Sequence, residues 1–253
     1  MINTRVIPCL LLKGLGLVKT VRFKGPKYVG DPINAVKIFN EKEVDELIFL
    51  DIDASVNNRV PNFDLISRIA SECFMPLSYG GGLKCFDDIK KILGIGVEKV
   101  VLNSSATSNS DLIKNVSEFF GSQSIVVSID VKKSARGEYK VYTHGGRVNT
   151  SLDAVEHAAR MAERGAGELF LNSIDRDGTM EGYDIELIKK ITNAVNIPVV
   201  ACGGAGKVSD FADAVHRGGA SAVSAGSMFV FYGKSRAVLI NFPTREELRR
   251  YLP

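Results

Sequence analysis

Two glycine-rich turns recur 122 residues apart, each between an apolar run and a helical pattern. PLSYGGGLKCFDDIKKILGIGVEKVVLNSS begins at Pro76 and PVVACGGAGKVSDFADAVHRGGASAVSAGS at Pro198, and the two align without a gap. Backbone N–H groups exposed at such a turn, beside a helix start, can hold a phosphate without any lysine. Gly80, Gly81 and Gly82 form the first turn, and Gly203, Gly204 and Gly206 the second. Asn103-Ser104 and Ala225-Gly226-Ser227 end the next strand in each copy and complete the two cradles. A single turn of this kind would only allow a tight strand–helix connection. Two at equivalent positions fit a ligand with phosphates at both ends.

Carboxylates form a second set at the ends of apolar runs: Asp51 and Asp53, Asp130, and Asp175 with Asp177 in NSIDRDGT. An acid on the rim of an apolar pocket has the raised pKa that proton transfer requires. Asp130 closes an otherwise apolar run, SIVVSID, and is assigned such a role, whereas Asp53 and Asp175 read as turn-capping groups. A third set, Arg5, Glu46, Lys99 and Glu168, stands at the beginnings of four apolar runs. Side chains two apart on a strand share a face, so Lys99 lies with Asn103 and Glu168 with Asn172. Two bases and two acids at one mouth make either a salt-bridged plug or a gate.

Eight short, continuously apolar runs must position these groups: RVIPCLLL, ELIFLDID, PLSYGGG, EKVVLNS, SIVVSID, ELFLNSID, PVVACGG and SAVSAGS. Most are separated by helical patterns such as DPINAVKIFNEK, DLIKNVSEFF and LDAVEHAARMAERGA. Eight buried strands alternating with helices, halved internally, predict one (β/α)8 barrel over residues 1–253, built from two similar half-barrels. An open doubly wound sheet would share the alternation but not the symmetric halves. A net charge of +3 gives no footprint for nucleic acid or membrane, and no apolar run approaches the length of a membrane span. Four cysteines without C-x-x-C spacing and three scattered histidines predict reduced thiols, a cytoplasmic location, no metal and no cofactor.

Together these residues resemble the cyclase subunit of imidazole glycerol phosphate synthase, a histidine-pathway barrel that works with a glutaminase. The resemblance runs from Arg5 to about Phe231 and is most specific in GSQSIVVSID, RGAGELFLNSIDRDGT and the GGAGK ending at Lys207. It implies an ammonia gate at Arg5, Glu46, Lys99 and Glu168, on the face where the glutaminase docks. It implies one phosphate site at Gly82, Asn103 and Ser104 and another at Asp177, Gly178, Gly204, Ala225 and Gly226. It implies a catalytic base at Asp130, a catalytic role for Asp177, and a mobile-loop lysine at Lys19.

One segment departs from that pattern. Where the family has a CLDVKDGRVVKG-type sequence, this chain reads CLLLKGLGLVKT, so the first-strand acid is Leu11. Leucine can neither give nor take a proton, and losing one member of an acid–base pair costs a factor of about 10²–10⁴. A phosphate-contacting serine of the family is replaced by Gly226. Gate residues kept and chemistry weakened is similar to the second-copy barrels of bacterial surface-polysaccharide clusters. That resemblance implies a third partner, an ATP-dependent sugar amidotransferase. The alternatives are a working cyclase and an inert scaffold that activates a glutaminase. The tail RAVLINFPTREELRRYLP is expected to form an amphipathic last helix with Leu248 and Leu252 inward.

Overall fold

A computed structural model of the chain describes residues 4–233 and 235–252. Eight parallel strands close on themselves: β1 Arg5–Lys13, β2 Leu47–Asp51, β3 Leu77–Gly80, β4 Lys99–Leu102, β5 Ile125–Lys133, β6 Glu168–Ser173, β7 Val199–Cys202 and β8 Ala222–Ala225. Each strand pairs with its sequence neighbours, and β8 pairs with β1. The main outer helices are α1 Pro32–Glu41, α2 Phe63–Glu72, α3 Phe86–Gly94, α4 Ser110–Phe120, α5 Ala154–Glu163, α6 Ile185–Thr192 and α7 Val208–Ala212. The last of these runs on into a π-turn, and α8 Arg245–Arg249 follows near the end of the chain. Side-chain oxygens cap the starts of four of them: Asp31 for α1, Asn62 for α2, Asp153 for α5 and Asp184 for α6. The tail helix buries Leu248 and Leu252 and exposes Glu246, Arg249 and Arg250, as its pattern predicted. No described helix is long and apolar enough to cross a membrane.

Following the pairings once around returns to β1 eight residues from the start, the shear of a closed barrel of this type. Inward side chains therefore stack in layers of four from alternate strands. Glu46, Lys99, Glu168 and Ala222 form the lowest layer at the strand N-termini, with Arg5 beneath it. Next come Ile7, Ser78, Val126 and Val200, then Ile48, Val101, Phe170 and Ser224. Above these lie Cys9, Gly80, Ser128 and Cys202, then Leu50, Asn103, Asn172 and Gly226 under the upper mouth. The outward positions, Val6, Leu47 and Val127 among them, pack against the helices in a separate and larger core.

The internal halving extends beyond the glycine turns. Both nine-residue strands, β1 and β5, lead into antiparallel hairpins, Gly16–Val21 with Lys24–Gly30 and Tyr139–Thr143 with Val148–Asp153. Short helical turns follow β4 and β8 at Ser104–Ser108 and Ser227–Val230. Both hairpins and both turns lie at the upper mouth.

Candidate functional site

At the lower mouth the four charged residues form one closed ring. Arg5 Nη1 donates to Glu46 at 2.5 Å and its Nη2 donates to Glu168. Lys99 Nζ donates to Glu46 at 2.9 Å and to Glu168 at 3.1 Å. Ser78 Oγ, one layer up, donates to Glu46 Oε1 at 2.8 Å. Both carboxylates are buried, so each depends on its two cations. Above the ring the barrel interior is packed with apolar side chains and three small hydroxyls, Ser78, Ser128 and Ser224. The layer directly under the upper pocket holds only two cysteines, a serine and a glycine.

The upper pocket collects most of the other candidates. Asp130, inward on β5, is half-buried at the pocket wall, and desolvation pushes its carboxyl up to about 7, with the neighbouring Asp177 carboxylate adding to the rise. Ser128 Oγ opposes that shift. Asn103 Nδ2 donates to Asp130 Oδ2 at 3.2 Å and to Ser128 O at 3.0 Å, so its side chain orients the acid. Diametrically opposite Asp130, at the same height on β1, stands Leu11, which also lines the pocket. The pocket therefore has a proton-transfer group on one wall and hydrocarbon on the other.

Asp177 and Lys19 meet through the hairpin after β1. Asp177 Oδ2 accepts from Thr20 Oγ1 at 2.8 Å and Phe23 N at 3.1 Å, and Arg22 N donates to its carbonyl at 2.9 Å. Burial raises the Asp177 carboxyl against the effect of these donors. The hairpin thus folds over the pocket, and Lys19 is carried inside, where Nζ donates to Cys9 O. Burial lowers the Lys19 amine below its ordinary value. Lys19 Nζ lies where a Cβ at residue 226 would fall, so any side chain there would make the tip of the inserted lysine shift.

The glycine turns surround this pocket. Gly81, Gly82, Gly203 and Gly204 all have positive φ and approach neighbouring backbone closely, so these turns need glycine sterically. Gly178 (φ +68°) packs against the Thr20 carbonyl, and Gly204 O accepts from Gly182 N. Ser104 Oγ accepts from His144 N at 3.1 Å, which ties the second hairpin to the first cradle. Ala225 and Gly226 lead into the short turn Ser227–Val230 across the pocket. Asp51 faces outward and caps its own loop by accepting from Asp53 N and Ala54 N, and Asp175 accepts from Lys133 N.

A family model described as histidine biosynthesis protein matches residues 5–236. A protein named as imidazole glycerol phosphate synthase subunit hisF2 of Pseudomonas aeruginosa is 54% identical over 98% of this chain and 99% of its own length. One named as subunit hisF3 of Vibrio vulnificus is 49% identical over 100% and 97%. The imidazole glycerol phosphate synthase subunit HisF of Alkaliphilus metalliredigens is 47% identical over 90% and 91%.

The chain belongs to the HisF-like cyclase family.

Within this HisF-like barrel the structure gathers the sequence candidates into two groups, a ring at the lower mouth and a pocket at the upper. Sequence reasoning overlooked Thr20, which the chain carries where the family segment ends in glycine and which fastens the hairpin to Asp177. It also overlooked the coupling between the Cys9 and Cys202 thiols, which share one layer, a coupling that lowers Cys9 and raises Cys202. Strand parity would have found the serines, since each lies two or four residues from a ring or pocket residue on its strand or just before it.

Proposed function

We propose that this barrel conducts ammonia from a glutaminase docked at the lower mouth to an amidination carried out by a third enzyme on a bacterial surface sugar. The observation that carries this reading is the pairing of an intact charged ring with Leu11 opposite Asp130. Glutamine hydrolysis at the lower mouth supplies neutral ammonia. Displacing one cation of the ring opens an aperture, because Lys99 and Arg5 are the parts of it that reach solvent. The apolar layers favour NH3 over ammonium, since a bare charge there would be desolvated. The small side chains of the Cys9, Gly80, Ser128 and Cys202 layer leave the passage open into the pocket. An ATP-dependent sugar amidotransferase then joins ammonia to an activated N-acetyl carbon, forming C–N and losing the acetyl oxygen to ATP-derived phosphate or AMP.

The test uses glutamine labelled with ¹⁵N in its amide, with excess unlabelled ammonium, in the presence of all three proteins. The acetamidino product is expected to carry the label well above the bulk ratio. A product labelled only at the bulk ratio contradicts a conduit.

A working cyclase of histidine biosynthesis is the second reading, favoured by Asp130, Lys19, Asp177 and the two glycine cradles at Gly82, Asn103, Ser104 and at Gly178, Gly204, Ala225, Gly226. In that role the pocket holds a bis-phosphate across both cradles, and Asp130 moves the protons with Asp177 and Lys19 at the same pocket.

A further inference from the structure

The outer side of the hairpin after β1 and the hairpin after β8 make one continuous surface beside the pocket mouth. In the hairpin after β8, Phe231–Tyr232 pairs antiparallel with Ala237–Val238, Phe231 lying opposite Val238. Its ring lies under both Lys27 Nζ at 5.6 Å and the Arg236 guanidinium at 4.9 Å, which joins the two hairpins. Arg236 Nη2 also donates to Gly178 O at 2.9 Å and so fixes the surface to the pocket rim. Tyr28 covers Gly16, where a Cβ would come within 2.7 Å of its ring.

Large apolar side chains point away from the barrel here: Leu15 is 71% exposed, Tyr28 and Tyr232 65% each, and Leu239 53%. Residues 13–30 and 231–240 carry seven Lys and Arg, of which Lys19 turns into the pocket, and no Asp or Glu, in a chain whose net charge is only +3. The remainder of the chain is therefore net negative, and the positive charge is concentrated on these two hairpins. Exposed apolar groups ringed by one sign of charge mark a protein-docking site.

We infer that this surface docks a protein with an acidic face, which closes over the upper mouth. A small anion would need the cations but not outward-facing Leu15, Tyr28 and Tyr232. An anionic bilayer is disfavoured because it too would need only the cations, and because Glu181, on a loop at the same end of the barrel, is exposed and would be repelled. The docked hairpin is the one whose inner side holds Lys19 in the pocket and Thr20 on Asp177, so the partner grips the lid from outside. In the proposed function this partner is the sugar amidotransferase, and that identity rests on the conduit reading.

The experiment measures binding of the purified amidotransferase to the barrel–glutaminase complex by biolayer interferometry, between about 50 and 300 mM salt. Binding is expected to weaken with salt, and Lys24→Glu with Lys27→Glu to weaken it by at least about tenfold. Lys24→Glu alone guards against misfolding, with thermal melting as the check, and Phe74→Ser, between α2 and β3 at the lower end, is expected to bind normally. Absence of binding, equal binding by the charge-reversed variant, or capture instead by phosphatidylglycerol vesicles overturns the docking site. Failed docking with ¹⁵N transfer intact leaves the conduit standing, whereas normal docking with label at the bulk ratio overturns the conduit alone.

Discussion

At the scale of single residues, the proposed acid–base site has Asp130 on one wall of the pocket and Leu11 facing it on the other. Asp130 is half-buried, oriented by Asn103, and raised to about 7, so it exchanges protons near neutrality. Any step that uses it as a base is lost as pH falls through 7, because the protonated carboxyl cannot accept. Asn103→Leu removes a donor to the carboxylate, leaves it harder to ionise, and shifts the activity profile to higher pH. A pH–rate profile of the ammonia-dependent reaction checks this, and an unshifted midpoint would deny the positioning role. Leu11 supplies no second group, and neither Lys19 nor Asp177 stands in for it: Lys19 donates to a backbone carbonyl, and Asp177 is taken up by Thr20 and Phe23.

Among the elements, the hairpin after β1 is the piece on which access depends. Thr20→Val deletes one buried hydroxyl donor while keeping the shape, a loss of about 1–2 kcal/mol. Amides of residues 16–30 are then expected to exchange with deuterium roughly tenfold faster, with the barrel strands unchanged. Helix α5 carries a different strain. His157 is 2% exposed, and both ring nitrogens lack a partner. Burial holds it down to about 4, with Arg160 adding to the effect. A base depressed below its unfolded value stabilises the fold above pH 6.5, and this contribution is lost as pH falls toward 4, about 3 kcal/mol in all. His157→Leu is expected to raise the melting temperature and flatten its fall with pH in that window. The strands and most helices were legible because their apolar periodicity reports burial directly. The two hairpins were not: LVKTVRF is short and mixed in character, the segment after Lys133 is polar, and their folding is decided by contacts with Asp177, Ser104 and Phe231 far along the chain.

For the whole molecule, the closed barrel matters because it sets the ring, the apolar interior and the pocket on one axis. The parity of Lys99 with Asn103 and of Glu168 with Asn172 was readable from spacing, but the closed ring required the shear that brings four strands to one height. Lys99→Ala leaves two buried carboxylates sharing Arg5 and is expected to destabilise the barrel by about 3 kcal/mol in denaturant melts. Glu168→Gln, which keeps the shape, is expected to let glutamine-derived ammonia escape into solution. A catalytically inert scaffold predicts altered glutaminase assembly with no such leak.

The most direct measurement is turnover of the histidine-pathway bis-phosphate with ammonium salt, comparing the natural chain with Leu11→Asp. The account predicts turnover lower by a factor of about 10²–10⁴ than a two-acid cyclase, with partial recovery in Leu11→Asp. Turnover by the natural chain at a full cyclase rate would contradict it, and would identify a cyclase whose single acid suffices.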